Sequence, residues 1–120
     1  VLVVEDNLTN QIVARGLLNL CGVEVVVAEN GQKAVEQAQA NQFDMIFMDC
    51  QMPVMDGYEA TRTIRKFSGQ KTPCDITIVA LSANAMKGDE DDCFAAGMND
   101  HIAKPISQDK LIAILTKWLP

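Results

Sequence analysis

The chain has 120 residues, a formal net charge of −6 and a hydrophobic fraction of 48%. That length and composition suit a single domain with one packed core and leave no room for a second. The acidic balance leaves no basic stripe to neutralise a phosphate backbone, so no nucleic-acid partner is expected, and no apolar run approaches the roughly 20 residues of a membrane span. Cys21, Cys50, Cys74 and Cys93 form no C-x-x-C pair, and His101 is the single histidine. Neither a zinc site nor a disulfide framework is suggested, and reduced thiols in a cytoplasmic domain are expected. The chain opens at Val1, already inside a strand-like run and without an initiator methionine. Residues 1–120 are therefore expected to be one domain cut from a longer protein.

Val1 to Val4 is a continuous β-branched and apolar run, as expected for a strand covered on both faces of a parallel sheet. The next segment carries Leu8, Ile12, Val13, Leu17, Leu20 and Cys21 at helical spacing and stops at Gly22, which suits a left-handed cap. A second strand is read over Val23 to Ala28, and a second helix from Asn30-Gly31, burying Ala34, Val35 and Ala38. A third strand runs from Phe43 to Met48. A third helix follows Asp56-Gly57, with Asp56 as cap and Tyr58, Thr61, Ile64 and Arg65 along one side. A strand over Ile76 to Leu81 precedes a helix of roughly Met86 to Ala96 that ends at Gly97. A short strand, Asp100 to Ala103, leads to a last helix after Ser107 with a wide apolar stripe of Leu111, Ile112, Ile114, Leu115, Trp118 and Leu119. Strands alternating with helices across short connections imply right-handed crossovers and an α/β, doubly wound five-stranded parallel sheet, with ligands at the carboxyl ends of the strands.

Five polar groups stand at those ends: Glu5 and Asp6 after the first strand, Asp49 after the third, Ser82 after the fourth and Lys104 beside the fifth. With the first, third and fourth strands adjacent, three carboxylates would meet and repel one another unless a cation joined them. Oxygen-only ligands and a phosphate partner favour Mg2+, with Mn2+ as a substitute. A carboxylate flanked by a metal ion and a lysine can attack a phosphoryl donor, because both cations neutralise the transferred oxygens. Asp49 is central to the set and is the nucleophile on this reading. Taken singly, Glu5 and Asp6 could be helix caps, Ser82 a turn residue and Lys104 a surface residue before Pro105. Their joint placement at successive strand ends favours the chemistry.

The segments V-V-E-D-N, M-D-C-Q-M-P-V-M-D-G, L-S-A-N-A and H-I-A-K-P resemble the receiver domains of two-component response regulators over essentially the whole chain. The resemblance implies a flavodoxin-like fold with strand order 2-1-3-4-5 and phosphorylation of Asp49. It implies direct magnesium ligation by Asp6 and Asp49, a contact from Glu5 through water, and completion of the protein ligands by the backbone carbonyl of Gln51. Ser82 would hydrogen-bond the phosphoryl oxygens and act as a switch, and Lys104 would pair with the phosphate. His101 stands where the family usually carries a tyrosine or phenylalanine coupled to the phosphate. A histidine there would make the switch sensitive to pH, or would be a half-exposed edge-strand residue with no signalling part.

The variants N-x-x-N-Q, D-C-Q-M-P-V-M-D-G, N-A-M-K-G-D and A-G-M-N-D-H-I look like receivers fused to hybrid sensor histidine kinases, in a parent that is compatible with a membrane anchor. The phosphoryl group would then come from a phosphohistidine on a histidine kinase or a histidine phosphotransfer domain. The domain would take part in phosphoryl transfer without being an independent enzyme. A non-phosphorylated pseudo-receiver that only binds proteins is the alternative, opposed by the intact polar set. A flavin-binding domain would want a phosphate loop where Glu5-Asp6-Asn7 stands. A metal-dependent phosphatase would want its nucleophile after the first strand. The acidic run Gly88 to Asp92 reads as a solvated helix face.

Overall fold

The computed structural model describes residues 1–49, 57–66, 75–82, 94–103 and 107–118. Its strands are β1 (Leu2–Val4), β2 (Val26–Ala28), β3 (Met45–Asp49), β4 (Thr77–Ser82) and β5 (Asp100–Ala103). They form one parallel five-stranded sheet in the order β2-β1-β3-β4-β5, as expected. The helices are α1 (Leu8–Leu20), α2 (Gly31–Ala40), α3 (Gly57–Lys66) and, after β5, α4 (Gln108–Trp118).

Period-2 alternation explains the layering, because successive strand residues point to opposite faces. Leu2, Val4, Ile46, Met48, Ile78 and Ala80 pack with Ala34, Val35 and Ala38 of α2 and Ala60 and Ile64 of α3. Val3, Met45, Phe47, Val79, Leu81 and Ile102 pack on the other face with Ala14 and Leu18 of α1 and Leu111, Ile114 and Leu115 of α4. Central strands with both faces covered must read as unbroken apolar runs, which is why β1 and β3 were legible.

The helix ends are set by polar side chains that take up the free amides of the first turn. The Asn7 and Asn30 side chains accept from the amides of Asn10 and Lys33 at 3.2 and 2.9 Å, and Ser107 Oγ accepts from the amide of Lys110 at 3.3 Å. Gly22, with φ of +80°, closes α1. Its amide donates to Asn19 O at 3.0 Å while that of Val23 donates to Leu18 O at 3.2 Å, a Schellman arrangement.

Three readings need correction or narrowing. The apolar residues spaced along α1 divide between two faces: Leu17 and Cys21 pack against the core beside the buried Ala14 and Leu18, whereas Leu8, Ile12, Val13 and Leu20 are exposed. β2 begins at Val26 rather than Val23, because the register Leu2↔Val26 makes Val26 the first residue opposite β1. Ile112 is exposed, so the apolar stripe of α4 is narrower than its composition suggests. The helix read over Met86 to Ala96 is described only at residues 94–96, followed by Gly97 at φ +106°. Cys50, Cys74, Cys93, Asp56 and Leu119 lie outside the described residues, whereas Cys21 is a free thiol.

Two side-chain ties hold β5 in place. Arg65 of α3 donates from Nε and Nη2 to Gly97 O at 3.0 and 2.7 Å, from Nη2 to Asn99 Oδ1 at 2.8 Å, and from Nη1 to Ile76 O at 2.5 Å. Asn99 Oδ1 also accepts from the amide of Ile78 at 2.9 Å, so one guanidinium fixes the entry to both β4 and β5. On the far side, Asp100 Oδ2 accepts from Trp118 Nε1 and Lys117 Nζ, each at 3.0 Å, and Oδ1 accepts from the amide of His101 at 2.8 Å.

Burial of Asp100 works against its charged form, but the hydrogen bonds from Trp118, the His101 amide and Lys117 outweigh it and hold the carboxyl below the ordinary range. A depressed carboxyl contributes stability that is present above the unfolded-state pKa of about 3.9 and is lost as pH falls through the folded-state value. Urea midpoints are therefore expected to fall on acidification below about pH 4. Asp100→Asn should lower the midpoint at neutral pH and make the acid loss shallower. An acid slope identical to that of the parent chain would show Asp100 to be unlinked.

Candidate metal and phosphoacceptor site

The sheet register builds the site. Val4 pairs with Ala28 on one side and Met48 on the other, so Glu5 and Asp49 are the next residues along neighbouring parallel strands. The Glu5 amide extends the ladder by donating to Ala28 O at 3.0 Å. One carboxylate oxygen each from Glu5, Asp6 and Asp49 lies within 4.8 Å of the others. Glu5 and Asp49 are 1% and 5% exposed, whereas Asp6 faces solvent, so the cluster has a closed floor and one open side. Three oxygen donors with like charge at this separation fit a small hard cation such as magnesium. The first turn of α1 adds the positive end of its dipole beside them.

α1 also reaches back onto Glu5. The amide of Asn7 donates to Glu5 Oε1 at 3.2 Å, Asn10 Nδ2 donates to the same oxygen at 3.4 Å, and Gln11 Nε2 donates to Glu5 O at 2.7 Å. The motif N-x-x-N-Q was visible in the sequence only as a marker of context. Its contact with Glu5 needed the helix phase, which the apolar spacing left open.

Of the residues read from the sequence as the site, Glu5, Asp6 and Asp49 are brought together. Ser82 ends β4 and is placed by its backbone: Asp49 pairs with Leu81, so Ser82 stands one residue further along the neighbouring strand, opposite Ala103. Lys104 and Gln51 lie outside the described residues. His101 pairs with Ala80 on the edge strand β5 and is half-buried, lining a shallow groove with Lys110, Ala113 and Ile114. Among the described residues, no helix is long and apolar enough to cross a membrane.

Comparison with known proteins agrees with this fold. A family model described as the response regulator receiver domain matches residues 1–116. The sensor protein GacS of Pseudomonas syringae pv. syringae is 41% identical over 118 residues, which is 98% of this chain but 13% of that protein. The two-component response regulator ORR41 of Oryza sativa subsp. japonica is 46% identical over 98% of this chain and 92% of its own length. The chain thus spans a small part of the hybrid-kinase relatives and nearly all of a stand-alone regulator. Among solved structures, the receiver domain of a sensor histidine kinase from Pseudomonas aeruginosa PAO1 superposes with a TM-score of 0.87 at 44% identity, over 98% of this chain and 93% of that one. It carries a magnesium ion coordinated in its active site cleft. The receiver domain of the Saccharomyces cerevisiae response regulator Ssk1, in complex with the histidine phosphotransfer protein Ypd1, superposes with a TM-score of 0.88 at 33% identity, over 98% of this chain and 86% of that one.

Proposed function

The chain belongs to the response regulator receiver domain family, and from that premise we propose that Asp49 accepts a phosphoryl group from a phosphohistidine in a magnesium-dependent reaction. The observation that carries the proposal is the convergence of the Glu5, Asp6 and Asp49 carboxylates within 4.8 Å. An oxygen of Asp49 attacks phosphorus, the P–N bond of the donor breaks in line, and the imidazole leaves with a proton to give an aspartyl phosphate. Asp6 and Asp49 hold the metal directly, Glu5 holds it through water, and the Gln51 carbonyl completes the protein set. Magnesium, when bound, supplies positive charge beside the transferred oxygens; manganese has the same preference for oxygen donors.

Lys104, which follows Ala103 in the chain, pairs with the phosphate. Ser82 donates to it and, with His101, forms the switch, because phosphate shifts a population only by contacts that differ between two states.

The donor is a histidine kinase or a histidine phosphotransfer domain. Its docking face is supported by the outward side of α1, where Leu8 and Ile12 are 69% and 63% exposed within two turns of Asp6. Residues 1–120 act as one receiver unit of a longer protein of hybrid-kinase type in the cytoplasm.

The metal requirement is tested by incubating the chain with acetyl phosphate and magnesium and following intact mass. A single phosphoryl adduct is expected with magnesium or manganese, and a rate at least about 100-fold lower with chelator, the scale of several kcal/mol of charge stabilisation. Equal adduct with and without metal would refute the requirement.

A further inference from the structure

We infer that Asn10 and Gln11 are positioning residues for the metal site, with their side-chain amides fixing Glu5 so that the acid cluster binds a divalent cation. This rests on the reading of Glu5, Asp6 and Asp49 as that site.

α1 is turned inside out over its first two turns. Leu8, Ile12 and Val13 are 69%, 63% and 44% exposed, while Asn10 and Gln11 are half-buried. A helix packed on a sheet ordinarily reserves its inward positions for apolar groups. Here two of those positions carry amides, and both amides end on the same residue. Capping does not account for them, because Asn7 already accepts from the amide of Asn10 at the start of the helix. Nor does sheet pairing fix Glu5 fully, since Glu5 lies one residue past the end of β1.

The two contacts act on different parts of Glu5. Gln11 Nε2 holds the backbone carbonyl at 2.7 Å, which sets the direction in which the chain leaves the strand and therefore aims both acids. Asn10 Nδ2 and the amide of Asn7 hold the carboxylate through Oε1 at 3.4 and 3.2 Å, drawing it toward the helix and against the repulsion of Asp49. The Gln11 bond has ordinary length, whereas that of Asn10 is at the weak end. Gln11 should therefore matter more. Outer partners that orient metal-holding carboxylates characteristically change metal affinity by about 10- to 100-fold when removed.

The test is calorimetric titration of magnesium chloride into the 120-residue chain and its variants, with manganese binding followed in parallel by electron paramagnetic resonance. Gln11→Met keeps the side-chain length and removes the donor; Asn10→Ala removes the second amide. Gln11→Met is expected to raise the magnesium Kd about 10-fold or more, and Asn10→Ala by a smaller factor. Metal-free melting temperatures should stay close to that of the parent chain. Asp6→Asn serves as the reference. Parental affinity in Gln11→Met and Asn10→Ala, alongside strongly weakened binding in Asp6→Asn, overturns the positioning inference and leaves the metal site standing. Parental affinity in Asp6→Asn overturns the metal site itself. A Gln11→Met chain that is unfolded without metal makes Gln11 a structural residue and also overturns the inference.

Discussion

Asp49→Asn is expected to take up no phosphoryl group from acetyl phosphate and magnesium under conditions that modify the parent chain to completion. The substitution preserves side-chain volume at a position that is 5% exposed, so packing around β3 should survive. It removes the anionic oxygen that must form the new bond, and a carboxamide does not replace it as a nucleophile. It also removes one of the three charges of the cluster, which lowers metal affinity as a second effect. The two effects separate by mass spectrometry at saturating magnesium, where lost affinity is overcome and lost nucleophilicity is not. Peptide mapping of the parent chain should place the adduct on Asp49. A parental yield of adduct in Asp49→Asn, mapped to Asp6 or another carboxylate, would sink the assignment of the nucleophile.

Arg65→Met is expected to destabilise the chain by about 3 kcal/mol or more, the largest loss predicted for a residue outside the acid cluster. Methionine preserves the apolar stem, which isolates the guanidinium. That group donates to Gly97 O, Ile76 O and Asn99 Oδ1, all from a half-buried position. Hydrogen bonds to a charged donor are worth about 1.5–3 kcal/mol each, and carbonyls left unpaired add a desolvation cost. Gly97 sharpens the dependence. It sits at φ +106°, and a Cβ there would stand 3.3 Å from Arg65 Cγ, so the loop before β5 and the arginine fit each other closely. Against a typical total stability of about 5–15 kcal/mol, such a loss moves a urea midpoint far outside error. A change below about 1 kcal/mol would show that the tie is replaceable by water.

The sheet was legible because its strands carry their burial in their composition: Leu2 to Val4 and Met45 to Met48 are apolar at every position, as two covered faces require. β5, short as it is, was read over the residues where it occurs, Asp100–Ala103. The acid cluster was legible for a related reason, since in a parallel sheet the residues after successive strands share one edge and Glu5, Asp6 and Asp49 need only correct register to meet. The direction of α1 was not legible. Helical spacing of apolar residues defines a face but not which way it points, and Leu8 and Ile12 mark the outward one. The Arg65 tie was not legible either: it joins residues 32 and 34 apart through a carbonyl and an amide, and neither leaves a signature in sequence.

Trp118 is the single tryptophan of the chain. Its indole N–H is committed to the carboxylate of Asp100, and the ammonium of Lys117 stands 5.3 Å from the ring centre. Indole emission shifts with the charge and hydrogen bonding around the ring, so the anchoring of β5 is wired to an optical signal. Any rearrangement of the strand that carries His101 should change the colour or yield of that emission, so a conformational response to the proposed phosphoryl transfer would be observable in unlabelled protein.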